Sequence, residues 1–96
     1  MEITDVRIIL KNEPKLKAYA SITFDNCFVV RELKIISGSE GYFVSMPSRR
    51  TQKGTFHDIA HPITNEMRKK IEDIVLDAYE RKLNNSNSDS TEETEQ

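Results

Sequence analysis

The sequence predicts an α+β fold, with a small antiparallel β-sheet followed by one C-terminal α-helix. Two observations predict it. Apolar and polar residues alternate in two short segments of the first half, and two further segments rich in β-branched and aromatic residues follow, with turn-forming residues between them. A longer segment near the C-terminus instead repeats its apolar residues at helical spacing. Because four consecutive strands with short connections are typical of a meander, we expect neighbouring strands to be antiparallel. The 96 residues suffice for one domain, which we place at 1–83.

The four predicted strands are separated by turn signals around Pro14, at Asp25-Asn26 and in "SGSEG". The clearest alternation lies in "LKAYASITF", where apolar side chains occupy every second position. Its other face carries lysine, tyrosine, serine and threonine. The four strands are predicted at 2–11, 16–24, 27–36 and 42–46.

The helix is predicted from Asn65 to Leu83. Thr64 suits the N-cap position, and Glu66 places a negative charge in the first turn, where the helix dipole favours it. Asn84-Asn85 is expected to end the helix.

The apolar residues of this helix suggest two faces. One stripe covers the sheet and contains Met67, Ile71, Ile74, Val75 and Ala78. A second set is expected on a different, roughly opposite face and contains Leu76, Tyr79 and Leu83. Scattered apolar residues on a surface are common. A small core would nevertheless gain from assembly, so we predict a homodimer in which the second set, or an edge strand, contacts the partner.

The segment 84–96 is predicted to be a disordered acidic tail, because it contains no apolar residue. Its four acids leave 14 basic and 12 acidic residues in positions 1–83, a net charge of +2. The tail is either a solvated terminus without a role or a competitor of a polyanion for the basic body.

Catalytic and metal-site patterns are weak. Cys27 could act as a nucleophile only with a base such as His57 or His61, and no phosphate loop or nucleophile elbow is present. The two histidines cannot easily bind one metal ion, even with Asp58 between them, because Pro62 disfavours a helix and a strand separates them by about 13 Å. We expect that the protein is not an enzyme and that it binds no metal, cofactor or small-molecule substrate. One cysteine and the lack of an apolar run of membrane-spanning length predict a cytoplasmic protein without a membrane partner.

The segment "MPSRRTQKG" provides the strongest functional signal. Arg49, Arg50 and Lys53 occur there without an acidic residue, and Ser48 and Thr51 add hydroxyl groups. Guanidinium groups bind phosphate in a bidentate manner, and hydroxyls add hydrogen bonds. These five residues are therefore predicted to bind nucleic acid, although three charges in a loop can also be merely solvated. A second basic cluster lies at 68–70 and would enlarge the patch if the two are adjacent.

Three stretches, "FDNCFVVRELKII", "GYFVSMPSRRTQKGTFHDIAHPI" and "IEDIVLDAYERK", resemble the bacterial SpoVG (stage V sporulation protein G) family over essentially all of 1–83. The order and spacing of "MPSRRT", "GxFxDI" and "HPI" are specific to that resemblance. It implies a small sheet with a helix, a dimer, and a cytoplasmic regulator of septation and sporulation that binds DNA, RNA or both. The residues that match the family's loop are Arg49, Arg50 and, less completely, Lys53. Gln52-Lys53 departs from the acidic or neutral residues frequent there and makes this loop more basic.

An alternative function is that of a protein-interaction adaptor in cell division, acting through a sheet edge or the second helix face. The target sequence and the preference between DNA and RNA do not follow from the sequence.

Overall fold

The structure is a computed structural model and describes residues 1–88. Four strands form one antiparallel sheet in the order β1-β2-β3-β4, which confirms the predicted meander. The strands are β1 (Ile3–Leu10), β2 (Leu16–Phe24), β3 (Phe28–Gly38) and β4 (Gly41–Ser45).

The turn between β2 and β3 confirms the Asp25-Asn26 signal without needing a glycine. Asp25 and Asn26 have φ values of 50° and 56°, and a type I′ turn requires positive φ at both central positions. The Cys27 N–H donates to the Phe24 carbonyl at 3.0 Å. The Asp25 side chain also accepts a hydrogen bond from the Glu2 N–H at 2.9 Å. This turn therefore holds the start of β1 as well.

The sheet buries one face beneath the helix. The alternation of β2 is carried through fully, since every second residue from Ala18 to Phe24 is buried. Their neighbours on β1, β3 and β4 complete the sheet side of the core. The buried apolar residues are Ile8, Ala18, Ala20, Ile22, Phe24, Leu33, Ile35, Val44, Met46, Ile71, Val75 and Tyr79.

The helix α1 (Asn65–Ser88) packs against β1 and β4, so it crosses the sheet from one edge strand to the other. Its predicted N-cap is confirmed, since the Thr64 hydroxyl accepts a hydrogen bond from the Met67 N–H at 3.1 Å. The predicted stop is wrong, because the helix continues through Asn84 to Ser88, inside the segment expected to be a tail. Asparagine has only a modest propensity penalty in a helix, so two in a row do not end one. The rest of the predicted tail, 89–96, lies outside the described residues.

The expected second face of α1 is also wrong. Tyr79 is only 4% exposed and belongs to the core, and Leu76 and Leu83 are partly buried against it. The reason is helical geometry: residues four apart differ by about 40° around the axis, so Tyr79 follows Ile71 and Val75 on one side. The Tyr79 ring meets the Tyr42 ring edge-on, with centroids 5.6 Å apart. The predicted homodimer remains a prediction, but this face is occupied within the chain.

Within residues 1–88, no helix combines the length and apolar character needed to cross a membrane.

Candidate nucleic-acid interface

The basic segment forms a second, separate sheet of two strands. After the buried Met46 and Pro47 the chain leaves the four-stranded sheet, and β5 (Ser48–Arg50) pairs with the antiparallel β6 (Phe56–Asp58). We call 48–58 the basic hairpin. The sequence predicted an irregular loop here, and that expectation is wrong. The chain bends directly after Asp58 and leaves the hairpin.

A compact turn closes the tip of the basic hairpin. The Thr51 N–H donates to the Thr55 carbonyl at 2.7 Å, and the Gly54 N–H donates to the Thr51 carbonyl at 3.0 Å. The hydroxyls of Thr51 and Thr55 are 2.9 Å apart. Gly54 has a φ of 86°, which favours glycine because a side chain there would be strained. The tip is thus shaped by two threonines and a glycine.

The base of the hairpin is fixed by one further hydrogen bond, from the Ile59 N–H to the Pro47 carbonyl at 2.7 Å. Pro47 is buried and so anchors the hairpin to the body. The hydrogen bonds described for 47–59 all join residues of this segment to each other. The hairpin is therefore a projecting element that the body holds at one end.

The two arginines project from opposite faces of the hairpin. Arg49 pairs with His57 and Arg50 with Phe56. Neighbouring residues of a strand alternate between its faces, so Arg49 shares a face with His57 and Arg50 shares the other with Phe56. A flat surface could meet only one of these faces at a time.

The positive charges of the hairpin are free to meet an anion. Arg49, Arg50 and Lys53 are exposed. The ion pairs found within residues 1–88 involve Arg7, Lys69 and Arg81, and none involves the hairpin. Its one acid, Asp58, lies at the base and pairs with Ser48. The tip therefore carries uncompensated positive charge.

The five residues predicted to bind nucleic acid are not equally available to a ligand. A terminal nitrogen of Arg50 lies 3.8 Å from where a Cβ of Gly54 would be, so its guanidinium group sits beside the turn that contains Lys53. Thr51 is at the tip, but its hydroxyl already contacts Thr55. Ser48 is at the base and partly buried. The arginines and Lys53 are better placed for a ligand than the two hydroxyls.

The second basic cluster, at the start of α1, is less available. Lys69 forms an ion pair with Asp73 at 3.4 Å, and Arg68 is partly buried. Lys70 is exposed. No hydrogen bond or ion pair found in the described hairpin reaches this cluster. The enlargement of the patch by 68–70 remains a prediction.

The residues considered for metal binding or catalysis do not assemble into a site. In the described part of the chain, no three His, Cys, Asp or Glu side chains converge in a group that could hold a metal. His61 Nδ1 lies 3.0 Å from the Pro62 carbonyl, to which it donates when protonated. Cys27 is exposed in the turn that joins β2 to β3.

Sequence reasoning missed one surface. Opposite α1, the four-stranded sheet has a face on which Tyr19 lies among basic side chains, and Lys11 Nζ is 5.8 Å from its ring centroid. The alternation of β2 had already placed Tyr19 there; only the strand register shows which residues of the other strands join it.

Comparison with known proteins agrees with the family motifs in the sequence. The family model described as SpoVG matches residues 1–81. A relative from Bdellovibrio bacteriovorus, named "Putative septation protein SpoVG", is 54% identical over 83 residues, covering 86% of this chain and 77% of its own. A relative of the same name from Caldicellulosiruptor saccharolyticus is 54% identical over 81 residues, covering 83% and 92%. Another from Phytoplasma australiense is 49% identical over 94 residues, covering 97% and 98%.

Proposed function

The chain belongs to the SpoVG family, and we propose that it is a regulatory protein that binds DNA or RNA through the basic hairpin. One observation carries the proposal. A narrow two-stranded ribbon presents an arginine on each face and a lysine at its tip, and none of the three forms an ion pair with another described residue.

The shape of the hairpin suits a groove better than a flat surface. The major groove of B-DNA is about 12 Å wide and admits a two-stranded β-ribbon. Inside a groove, both faces of a ribbon have a wall beside them. Arg49 and Arg50 could then contact opposite walls through phosphates or base edges, while Lys53 adds a phosphate contact. A single-stranded segment wrapped around the ribbon would use the same three charges.

One hairpin carries few charges for tight binding, so we propose that the protein acts as a homodimer with two hairpins. The support is an exposed apolar segment directly after the basic residues. Ile59 is 65% exposed and Ile63 is 90% exposed. Contact with a second copy would bury these side chains. Ile63→Asp should then lower the mass measured by light scattering, and a parent that is monomeric at high concentration would contradict the dimer.

The same apolar segment supports the second candidate function, a protein-interaction adaptor in cell division. The relatives' names link them to septation, and an adaptor would use 59–63 to bind another protein. The two candidates differ in the ligand they require, so nucleic-acid binding by the purified protein separates them. For both candidate functions we place the protein in the cytoplasm, where the exposed thiol of Cys27 stays reduced.

The decisive experiment is a fluorescence anisotropy titration of the Arg49→Ala/Arg50→Ala double variant with duplex DNA and with single-stranded DNA and RNA. Loss of each bidentate arginine contact costs on the order of 1–3 kcal/mol, so removing both arginines should lower affinity at least tenfold for all three ligands. The variant should remain folded by circular dichroism, because both side chains are exposed. A matched control is Lys15→Ala/Arg81→Ala, which removes two positive charges from outside the hairpin and should change affinity much less.

If the double variant binds as tightly as the parent, the basic hairpin is not the site and the adaptor function is favoured. The dependence of nucleic-acid affinity on salt concentration gives a second test. Two hairpins provide about six basic contacts, which predicts a log–log slope near −5 on duplex DNA. Lys53→Ala should flatten that slope by about one unit for each phosphate that the lysine no longer neutralises. Arginine-to-lysine changes at 49 or 50 should recover only part of the affinity, because lysine does not have the planar fork.

A further inference from the structure

We infer that the face of the four-stranded sheet opposite α1 binds unpaired bases of single-stranded nucleic acid. We call this the outer face and define it by Arg7, Ile9, Lys17, Tyr19, Lys34 and Phe43. The inference adds a second site to the hairpin, and it rests on the proposed function only for the class of partner.

A continuous row of side chains crosses all four strands of this face. The register pairs Ile9 with Tyr19, Tyr19 with Lys34, and Lys34 with Ser45. These residues alternate with buried neighbours such as Ala18, Ala20 and Ile35, so they point away from α1. The helix α1 packs on the other side of the sheet.

Two aromatic rings on this face can stack with bases. Tyr19 is partly exposed in the central row. Phe43 is 46% exposed and pairs with Ile36 in the next row. They lie on strands two apart, about 10 Å in the hydrogen-bonding direction, which separates two stacked bases. Stacking on aromatic side chains is how sheet surfaces bind single strands, and it tolerates any base.

The charges of this face favour a polyanion. Lys34 lies in its central row, and Lys17 lies where β2 shifts its register against β3 at the end of this face. Lys11 reaches across Tyr19, where its ammonium group can hold the phosphate next to a stacked base. Arg7 also lies here, although Asp5 pairs with it at 3.2 Å. Beside this face, where β3 shifts its register against β2, Arg31 and Glu32 carry opposite charges and add no net charge.

These lysines distinguish nucleic acid from a second copy of the chain as the occupant. Lysine is depleted in the buried centre of protein interfaces, because its charge would have to leave water without a partner. Lys34 occupies the middle of the outer face, where a phosphate would provide that partner. The face therefore fits a ligand that offers flat apolar rings and negative charge together.

The test compares three labelled probes of the same length at one low salt concentration: a single strand, its blunt duplex, and an abasic single strand. In a duplex the bases are stacked inside, and in the abasic probe they are missing. The parent should bind the plain single strand more tightly than the abasic strand. Tyr19→Ala/Phe43→Ala should weaken binding of the plain strand about tenfold or more and change duplex binding less than about twofold.

Two single variants control this result. Tyr19→Phe keeps a ring and should retain single-strand binding. Phe28→Ala removes a ring that is 63% exposed, but Phe28 pairs with the buried Phe24 on the other side of the sheet, so its loss should have no effect on binding. The unmodified protein provides a test that needs no substitution. In an NMR titration with the single strand, amides of Tyr19, Lys34 and Phe43 should shift in addition to those of the hairpin.

The inference fails if the double aromatic variant binds the single strand as the parent does, or if single-strand and duplex binding fall equally. It also fails if that variant loses oligomer mass while its binding is unchanged, since the outer face would then contact another copy. The outcome is separable from the hairpin proposal. Arg49→Ala/Arg50→Ala tests the hairpin on duplex DNA, which the outer-face variant should still bind.

Discussion

The body of the protein and the basic hairpin are stabilised in different ways. The body consists of four strands and α1 around a core whose central side chains, among them Leu33 and Val75, are almost completely buried. The hairpin has two strands of three residues, a hydrogen-bonded turn and one bond at its base. Its side chains are mostly exposed, and a two-stranded ribbon has little stability by itself.

This difference separates stability from binding. Substitutions in the body act through lost burial and should lower the free energy of unfolding. Substitutions in the hairpin remove little buried surface, so they should change ligand affinity while the body stays folded. Variants of the two regions test that separation, beginning with the largest expected effect.

The largest effect is expected for Leu33→Ala in the body. Leu33 is 1% exposed at the centre of β3, and truncating a buried leucine costs about 2–5 kcal/mol. Urea unfolding followed by circular dichroism measures this cost. Ile9→Ala on β1 is the matched control, since Ile9 is mostly exposed and its truncation should cost far less. Equal costs for the two variants would mean that the core is not where the structure places it.

A smaller effect is expected for Gly54→Ala at the hairpin tip. A residue with a side chain costs about 1–2 kcal/mol in the left-handed region, so the turn should open locally. Nucleic-acid affinity should fall several-fold, while the melting temperature of the body changes by no more than a few degrees. Gly54→Asn should be milder, because asparagine tolerates this conformation better. A melting temperature lowered as much as by Leu33→Ala would break the separation between hairpin and body.

The same two regions differ in how far the sequence predicted them. The body was predictable because its strands are long enough to show a period of two, as the nine residues of β2 do. The hairpin strands have three residues each, which is too short for any period to be recognised. The three basic residues were identified by composition and by the family motif, but their division between two faces depends on the register. The prediction for Tyr79 is wrong because this residue lies one turn after Val75 and so shares the buried side of the helix.

The smallest effect is a pH dependence confined to the body. Burial, together with the neighbouring Tyr42, raises the pKa of the Tyr79 phenol above its ordinary value of 10.0. Folding thus favours the neutral phenol. Its contribution to stability is fully present below about pH 10 and is lost as the pH rises through the higher pKa of the folded state. The expected measurement is a urea midpoint that falls more steeply above about pH 10 in the parent than in Tyr79→Phe.

Comparison of the two proteins at each pH removes the contribution of lysines that titrate in the same range. The phenylalanine variant keeps the ring that packs edge-on against Tyr42, so its stability at neutral pH should change only slightly. The hairpin contains no tyrosine, and so this substitution should not alter nucleic-acid affinity at neutral pH. Parallel curves for parent and variant would contradict the burial of the Tyr79 hydroxyl. A change in affinity would instead show that the packing of α1 on β4 reaches the hairpin that follows it.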